Sequence, residues 1–316
     1  MTSRPRPIFF DEKRIGELYV PNIPVIKEEA ALMSPMPSAM DKPGAKNALL
    51  LIDCQVDFCF APPVGQLYVD GAEQDMVRII DFIFNNMKNI TTIYPTLDTH
   101  LVYQIFYGYW WTDDKGKNVA PFTVIKSEDI ENGKYKPIID PVWSLDYVKA
   151  LEKQTNQPLM IWPEHTMLGT PGHALVPALY EVCYYHAAIR RSQISFQLKG
   201  DVPGTEMFGV FRPEVLVPKN PRGGINTGFL NLMGNYDRLM VAGQAKSHCV
   251  LESLRQLAAF FAGQEDILKK IFIMRDCMSS VKHPDIDFDA IANAEFDKLE
   301  KVGFNIVDST DTAIFN

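Results

Sequence analysis

Strand-like apolar runs that alternate with helical patterns restrict the fold of this sequence more than any other feature. Residues 48–52 form a continuous apolar run of the kind that parallel sheets bury on both faces. Apolar runs at 238–242 and 271–274 are each followed by a segment with helical spacing of apolar residues. Because strands that alternate with helices pair in parallel, we predict an α/β protein with three layers, α/β/α, around a mostly parallel central sheet.

Two stretches interrupt this alternation. Residues 1–46 are rich in proline and show no sustained period, which predicts an extended arm that is wrapped on the body or partly disordered. Residues 101–157 are first aromatic and then polar and charged, which predicts an insertion packed over the mouth of a crevice in the sheet. We therefore expect an amino-terminal arm over 1–46 and one domain over 47–316, with the insertion at about 101–157.

Composition and charge exclude several classes of function. The net charge of -8 argues against nucleic acid as a partner. The five cysteines are irregularly spaced, which does not indicate a disulfide framework. There is no apolar run of about 18 residues and no apolar leader segment at the start. We expect a cytoplasmic protein with no membrane partner, and we leave a homo-oligomer open.

Polar side chains follow three of the predicted strands. Asp53 ends the first strand, Asp98 and His100 end the second, and Lys199 ends a later one. The carboxyl ends of parallel strands meet at one edge, where open α/β sheets place their ligand crevice. Taken singly, Asp53 is as readily a turn or capping residue, and a lone lysine at a strand end is usually solvated. Four such groups at equivalent positions indicate a site.

Asp98 and His100 are two residues apart in an extended segment, so their side chains share a side and can face one metal ion. A hydrogen-bonded Asp–His pair without metal is the alternative. His165 lies in a loop rich in proline and glycine, an unusual place for a core histidine, and it could complete the same site.

Cys249 lies where a strand turns into a helix. The strand pattern breaks at Gly243, and helical spacing begins directly after Cys249. The free N–H groups and the positive dipole end of a helix amino terminus favour a thiolate, which makes Cys249 a candidate nucleophile. The alternative is that Cys249 is a small buried apolar residue.

Several separated segments resemble one family in the same order along the chain. They are residues 51–58, 98–100, 162–165 with 169–172, 199–200 and 245–250. On these segments the chain resembles the isochorismatase-like cysteine hydrolases, and within them it is most similar to nicotinamidases. The resemblance covers roughly residues 47–310 and implies the isochorismatase-like hydrolase fold.

Carried over residue by residue, the resemblance implies a catalytic triad of Asp53, Lys199 and Cys249. It also implies an oxyanion hole formed by the backbone N–H groups of Ala245 and Cys249. The family has a cis peptide bond just before the residue matching Ala245, so we expect the Gln244–Ala245 bond to be cis.

The resemblance also implies a substrate pocket and a cofactor. Phe58 and Trp162 match aromatic walls of a nicotinamide pocket, and Phe208 stands where many relatives carry a tyrosine. One divalent metal ion, Zn, Fe or Mn, is expected, with waters completing its coordination. Its protein ligands would be Asp98, His100 and His165.

The implied activity is hydrolysis of nicotinamide to nicotinate and ammonia through a thioester on Cys249, a step of NAD salvage. Two alternatives stay open. One is a cysteine hydrolase of the same superfamily acting on another small carboxamide, because the segment after His100 is bulkier than is usual in the family. The other is a non-catalytic binding protein on the same fold, which an intact triad disfavours.

Overall fold

A six-stranded parallel sheet forms the centre of the computed structural model, which describes residues 6–33, 45–155 and 158–315. The strands are β1 Asn47–Ile52, β2 Thr92–Asp98, β3 Trp111–Asp113, β4 Val124–Ile125, β5 Tyr135–Pro137, β6 Leu159–Met160, β7 Gln197–Lys199, β8 Arg238–Gly243, β9 Ile271–Met274 and β10 Asn305–Val307. The central order is β10-β9-β8-β1-β2-β7, and every neighbouring pair is parallel. Strands β3 with β5 and β4 with β6 form two small antiparallel pairs.

Helices cover both faces of this sheet. They are α1 Ile23–Leu32, α2 Val56–Cys59, α3 Ala72–Asn85, α4 Ser127–Glu131, α5 Pro141–Thr155, α6 Pro177–Arg190, α7 Thr227–Gly234, α8 Leu251–Phe260, α9 Glu265–Leu268 and α10 Phe288–Lys301. Leu49 and Leu51 of β1 pack into a core with α3 and α6, whereas Leu50 and Ile52 pack into a second core with α7, α8 and α10. Alternate residues of a strand point to opposite faces, so a fully apolar β1 serves both cores. The predicted three-layer α/β/α architecture is confirmed.

Strand pairing sets up the edge of the sheet where the polar residues lie. β1 is buried at every residue and pairs with β8 on one side and β2 on the other. Asp98 at the end of β2 lies opposite Lys199 at the end of β7. The later strand that Lys199 ends is short, because β7 is an edge strand in which only residues 197–199 pair continuously.

The amino-terminal segment is helical in part. The predicted extended conformation is wrong over α1, where Pro24 occupies the first turn and so interrupts no helical hydrogen bond. The segment docks on α6, because the Tyr19 hydroxyl and the Asn22 N–H both donate to the buried carboxylate of Glu181. Residues 34–44, on which part of that prediction falls, lie outside the described residues.

The segment between β2 and β6 has a separate small apolar core. Its largest buried side chains include Trp111 and Tyr147. Trp143 of α5 donates its indole N–H to the Gly204 carbonyl at 2.7 Å, which ties this segment to the loop after β7. No helix in the described ranges is long and apolar enough to cross a membrane.

Candidate active site

Lys199 connects the side chains that the sequence places in a triad. Its Nζ lies 3.0 Å from Asp53 Oδ2, 2.9 Å from Asp98 Oδ1 and 3.7 Å from Cys249 Sγ. All four residues are buried. Lys199 also donates to the Met207 carbonyl at 2.9 Å, which fixes the ammonium group at the junction of the two carboxylates and the thiol.

Asp53 is held by its backbone and by a neighbouring strand. It follows β1 directly and adopts the left-handed conformation, with φ of 45°, which aspartate tolerates better than most residues. Thr96 of β2 accepts from the Asp53 N–H at 3.0 Å and donates its hydroxyl to the Asp53 carboxylate. Nothing in the sequence points to Thr96, because a threonine inside a buried strand belongs to no recognisable motif.

Cys249 lies in a turn of π-helix, Lys246–Val250, that follows β8 and leads into α8. Burial raises the pKa of the Cys249 thiol well above its usual value, although Lys199 opposes the shift. Enclosure of the sulfur therefore acts against the thiolate that the helix terminus favours. The sequence pattern shows the turn but not how completely the sulfur is enclosed.

Burial and neighbouring charges also shift the pKa values of Asp53 and Lys199. Burial raises the pKa of Asp53, while Lys199 acts to lower it. Burial disfavours the charged form of Lys199, but Asp53, Asp98 and Cys249 together raise its pKa well above the usual value. Lys199 is therefore a permanent cation beside a carboxyl group that can bind and release a proton.

The backbone before Cys249 carries the predicted cis bond and, among the described residues, an N–H group that is free to donate. The Gln244–Ala245 peptide bond is cis. Within the described ranges, no acceptor is bonded to the Ala245 N–H. Gln244 anchors this backbone, since its amide donates to Asp75 at 2.8 Å and accepts from the Ser279 N–H at 3.3 Å.

Asp98, His100 and His165 form a compact set of donor atoms. One ligand atom from each lies within 4.8 Å of the others, and all three residues are buried. His100 Nε2 is 3.1 Å from Asp98 Oδ1, and His165 Nε2 is 3.9 Å from Asp98 Oδ2. Gln55 positions Asp98 through both backbone groups, because its amide accepts from the Asp98 N–H and donates to the Asp98 carbonyl.

The surroundings of the two histidines fit a divalent cation. His165 Nδ1 is 2.7 Å from the Pro163 carbonyl, and His100 Nδ1 is 3.1 Å from the His165 carbonyl and 2.8 Å from the Tyr107 hydroxyl. A carbonyl only accepts, so Nδ1 acts as the donor in each ring, and Nε2 on the Asp98 side is the candidate ligand atom. Burial lowers the pKa of His165 to about 3, which keeps that ring neutral. Asp98 Oδ1 is buried without a well-aligned hydrogen bond, although Lys199 and His100 are near it.

Aromatic rings flank this cluster. Phe58 packs edge-on against His165, with ring centroids 5.5 Å apart. The Trp162 and Phe208 rings lie 6.2 Å and 5.8 Å from the ring of His248. Phe58 thus lies against a predicted metal ligand, whereas Trp162 and Phe208 lie against the residue that precedes Cys249.

Comparisons with known proteins identify the fold. No family model matches the chain, and no curated protein matches it either. A nicotinamidase from Acinetobacter baumanii has 20% sequence identity, with a TM-score of 0.53, and the match covers 85% of this chain and 99% of that one. The yeast nicotinamidase Pnc1p bound to the inhibitor nicotinaldehyde has 17% identity and a TM-score of 0.55, covering 83% of this chain and 99% of that one.

The chain has the isochorismatase-like hydrolase fold of the nicotinamidases. The family resemblance stated from the sequence is confirmed at this level. Within the nicotinamidase fold, the candidate site lies at the carboxyl edge of β1, β2, β7 and β8, where doubly wound sheets bind ligands.

His248, which precedes Cys249, contacts both predicted pocket walls. Its ring lies 6.2 Å from that of Trp162 and 5.8 Å from that of Phe208. Burial lowers the pKa of His248 to about 4, so the ring is neutral at pH 7. Only its position next to the cysteine could have indicated these contacts.

Four other cysteines and Asp57 have structural contacts. Cys54, Cys59, Cys183 and Cys277 are buried packing residues. Asp57 supports the loop that carries His165, because its carboxylate accepts from the Thr166 N–H at 2.6 Å and from the Gln66 N–H at 3.2 Å.

Proposed function

We propose that this chain is a metal-containing cysteine amidohydrolase, a nicotinamidase that converts nicotinamide and water to nicotinate and ammonia. The observation that supports this most is the position of Lys199, whose ammonium group contacts Asp53 and Asp98 and faces the sulfur of Cys249. The candidate nucleophile Cys249, the acid–base carboxyl group of Asp53 and the proposed metal ligand Asp98 thereby lie in one buried cluster around Lys199. The chain also has the fold of a yeast nicotinamidase solved with nicotinaldehyde.

In this mechanism Asp53 removes the thiol proton while Lys199 stabilises the sulfur anion. Removal of the proton by a neighbouring base is needed because burial favours the neutral thiol of Cys249. Cys249 Sγ then bonds to the carboxamide carbon, and the C=O electron pair moves onto oxygen. The N–H groups of Ala245 and Cys249 would stabilise that oxyanion, a contribution of about 3–4 kcal/mol per donor in well-studied hydrolases.

Collapse of the tetrahedral intermediate breaks the C–N bond, and Asp53 delivers its proton to the departing ammonia. The remaining thioester is cleaved by water, which Asp53 deprotonates as it attacks the same carbon. The C–S bond breaks, Asp53 returns the proton it took from water to the sulfur, and the carboxylic acid product releases its own proton to leave as nicotinate. One carboxyl group thus alternates between base and acid, which its raised pKa beside Lys199 favours.

Asp98, His100 and His165 are the residues that would hold the metal. Their one-oxygen, two-nitrogen donor set suits Zn, Fe or Mn. When bound, the ion supplies a Lewis-acid contact that orients the pyridine nitrogen of the substrate. Phe58, Trp162 and Phe208 would then be the walls that hold the ring.

An alternative within the same chemistry is a different small carboxamide as substrate. Phe122, from the predicted insertion, packs edge-on against Trp162 with centroids 6.3 Å apart, so this segment contributes to the rim of the pocket. A non-catalytic binding protein is less favoured, because the three triad side chains are buried in mutual contact.

The cellular setting belongs to the same proposal. A nicotinamidase would act in the cytoplasm and supply nicotinate for pyridine nucleotide synthesis, with a small carboxamide as its partner and no nucleic acid. Residues 1–46 would act as an arm on the hydrolase domain 47–316, and residues 101–157 as an insertion near the pocket. The oligomeric state is to be measured directly by light scattering.

The test is ammonia release from nicotinamide by the purified protein, with and without a chelator, followed by adding back Zn, Fe or Mn separately. Turnover that the chelator abolishes and one metal restores supports the substrate and the metal together. Absence of turnover in metal-loaded protein would refute nicotinamide as substrate, and a panel of small carboxamides would then test the alternative. Iodoacetamide labelling of Cys249 checks that the nucleophile is intact.

A further inference from the structure

Two buried glutamates contact the two aromatic residues that flank His248. Glu206 accepts the indole N–H of Trp162 at 2.7 Å, and Glu214 accepts the backbone N–H of Phe208 at 3.3 Å. The two glutamates are linked to each other, because the Glu214 N–H donates to the Glu206 carbonyl at 2.9 Å. Their relative exposures are only 7% and 6%.

Burial of two carboxyl groups side by side is costly unless they are neutralised or well hydrogen-bonded. Among the described residues, neither glutamate forms an ion pair with lysine or arginine. Packing alone would favour apolar residues at both positions. The two carboxyl groups accept hydrogen bonds from the Trp162 indole and from the Phe208 backbone, and apolar side chains could not accept them.

The segment from residues 101–157 supports the same wall from behind. The Tyr147 hydroxyl of α5 accepts from the Glu206 N–H at 3.2 Å. Trp143, one turn earlier in α5, donates to the Gly204 carbonyl at 2.7 Å. The backbone that carries Glu206 is therefore fixed on both sides, which makes its carboxyl group a rigid support for the Trp162 indole.

We propose that Glu206 and Glu214 are positioning residues that set the separation of Trp162 and Phe208, and with it the affinity of the pocket for a flat aromatic carboxamide. The proposal deepens the nicotinamidase function and rests on it. Glu206 holds one wall through a side chain, and Glu214 holds the other through the backbone. Neither residue takes part in bond making or breaking at Cys249.

The pair also makes substrate affinity depend on pH. Burial, followed by repulsion from Glu252, raises the pKa of Glu214 to about 8. Several charged or titratable groups interact electrostatically with Glu214. They are Glu206 and Arg212 in its own segment, Glu252 of α8, Lys199 of β7 and Tyr147 of α5. We therefore expect Glu214 to lose its proton between pH 7 and pH 9. Its negative charge would then lie near Glu252, and their repulsion would shift the segment that carries Phe208.

The kinetic test compares KM and kcat across pH 6.5 to 9 for the wild type, Glu214→Gln, Glu206→Gln and Glu206→Leu. Wild-type KM should rise toward pH 9, and Glu214→Gln should remove that rise because its amide does not ionise. Glu206→Leu should raise KM about five- to tenfold with kcat within about twofold, since one hydrogen bond is worth about 1 kcal/mol. Glu206→Gln, which keeps an acceptor, should lie between Leu and the wild type.

Glu181→Gln is the matched control, because Glu181 is equally buried but holds the amino-terminal segment instead. It should lower thermal stability without changing KM or its pH dependence. An alkaline rise of KM that persists in Glu214→Gln, or a Glu206→Leu variant with wild-type KM, would overturn the proposal.

A second measurement does not depend on the substrate. The indole N–H resonance of Trp162, assigned with Trp162→Phe, reports its hydrogen bond to Glu206 directly. The resonance should shift in Glu206→Leu and should titrate near pH 8 in the wild type but not in Glu214→Gln. A resonance that does not respond to Glu206→Leu, to Glu214→Gln or to pH refutes the positioning role. A shifted resonance in a protein that is inactive on nicotinamide refutes only the proposed substrate.

Discussion

Lys199 Nζ lies 3.7 Å from Cys249 Sγ, and the same ammonium group touches two buried carboxylates. A single cation thus lies between the carboxyl groups of Asp53 and Asp98 and faces the sulfur at which negative charge would develop. Activity and stability are therefore expected to depend on the same side chains.

Replacement of Cys249 by alanine is expected to abolish turnover, with a loss of at least about 10⁴-fold, because no other thiol lies against Lys199. The fold should persist, since the change removes one small buried atom. Ammonia release and thermal unfolding measure the two effects. Cys183→Ala, which removes a buried thiol from α6, is the control and should retain activity. Near wild-type turnover in Cys249→Ala would exclude it as the nucleophile.

Lys199→Met is expected to lower the free energy of unfolding by about 3–5 kcal/mol at pH 7, because it leaves two buried carboxylates without their cation. The second substitution Asp53→Asn should recover part of that loss by removing one of the charges. Urea unfolding of the two single variants and the double variant measures the coupling. Strictly additive effects would show that Lys199 and Asp53 do not interact.

His165→Ala is expected to reduce metal content, because one of three protein ligands is lost. Inductively coupled plasma analysis after dialysis gives the stoichiometry without reference to activity. His283→Ala removes an exposed histidine far along the chain from the ligand set and should leave metal content unchanged. Equal metal content in both variants would remove His165 from the site.

Gly200→Ala is expected to weaken metal binding, because the added methyl group would clash with two proposed metal ligands as well as strain the backbone. Gly200 has φ of +82°, and a methyl group there would lie 3.1 Å from His100 Nε2 and still closer to Asp98 Oδ1. Gly116→Ala is the matched control, with φ of +77° and no atom within 4 Å of the added methyl. Both should lose about 1 kcal/mol of stability from the left-handed backbone, but only Gly200→Ala should weaken metal affinity in a chelator competition.

The stability of the fold should fall as pH decreases from about 6.5 toward 4, partly through His186. Burial lowers the pKa of His186 to about 4, and its Nε2 lies 3.0 Å from the Ile90 carbonyl, to which it donates. The unfolded chain protonates at its usual pKa of about 6.5, before the folded chain does, so protons favour unfolding across this range. Urea unfolding at several pH values should show a shallower decline for His186→Gln. A parallel decline in both proteins would contradict the assignment.

The sequence by itself determined the layered architecture and predicted which polar residues lie at one edge of the sheet. The apolar runs at 48–52, 238–242 and 271–274 predict buried parallel strands because only such strands bury both faces. Their order also predicts that Asp53, Asp98, His100 and Lys199 end at one edge, since parallel strands share a carboxyl edge. Apolar patterning and strand order are properties of the sequence, so both predictions can be made without the tertiary structure.

Only the tertiary structure decided how these residues act on one another. The enclosure of Cys249 depends on distant segments, and this burial raises the pKa of its thiol. The contacts of His248 with Trp162 and Phe208 join three segments far apart in sequence, and the hydrogen bond from Trp162 to Glu206 joins two of them. Desolvation and contacts between remote segments arise only from the packed chain, so no local pattern of residues encodes them.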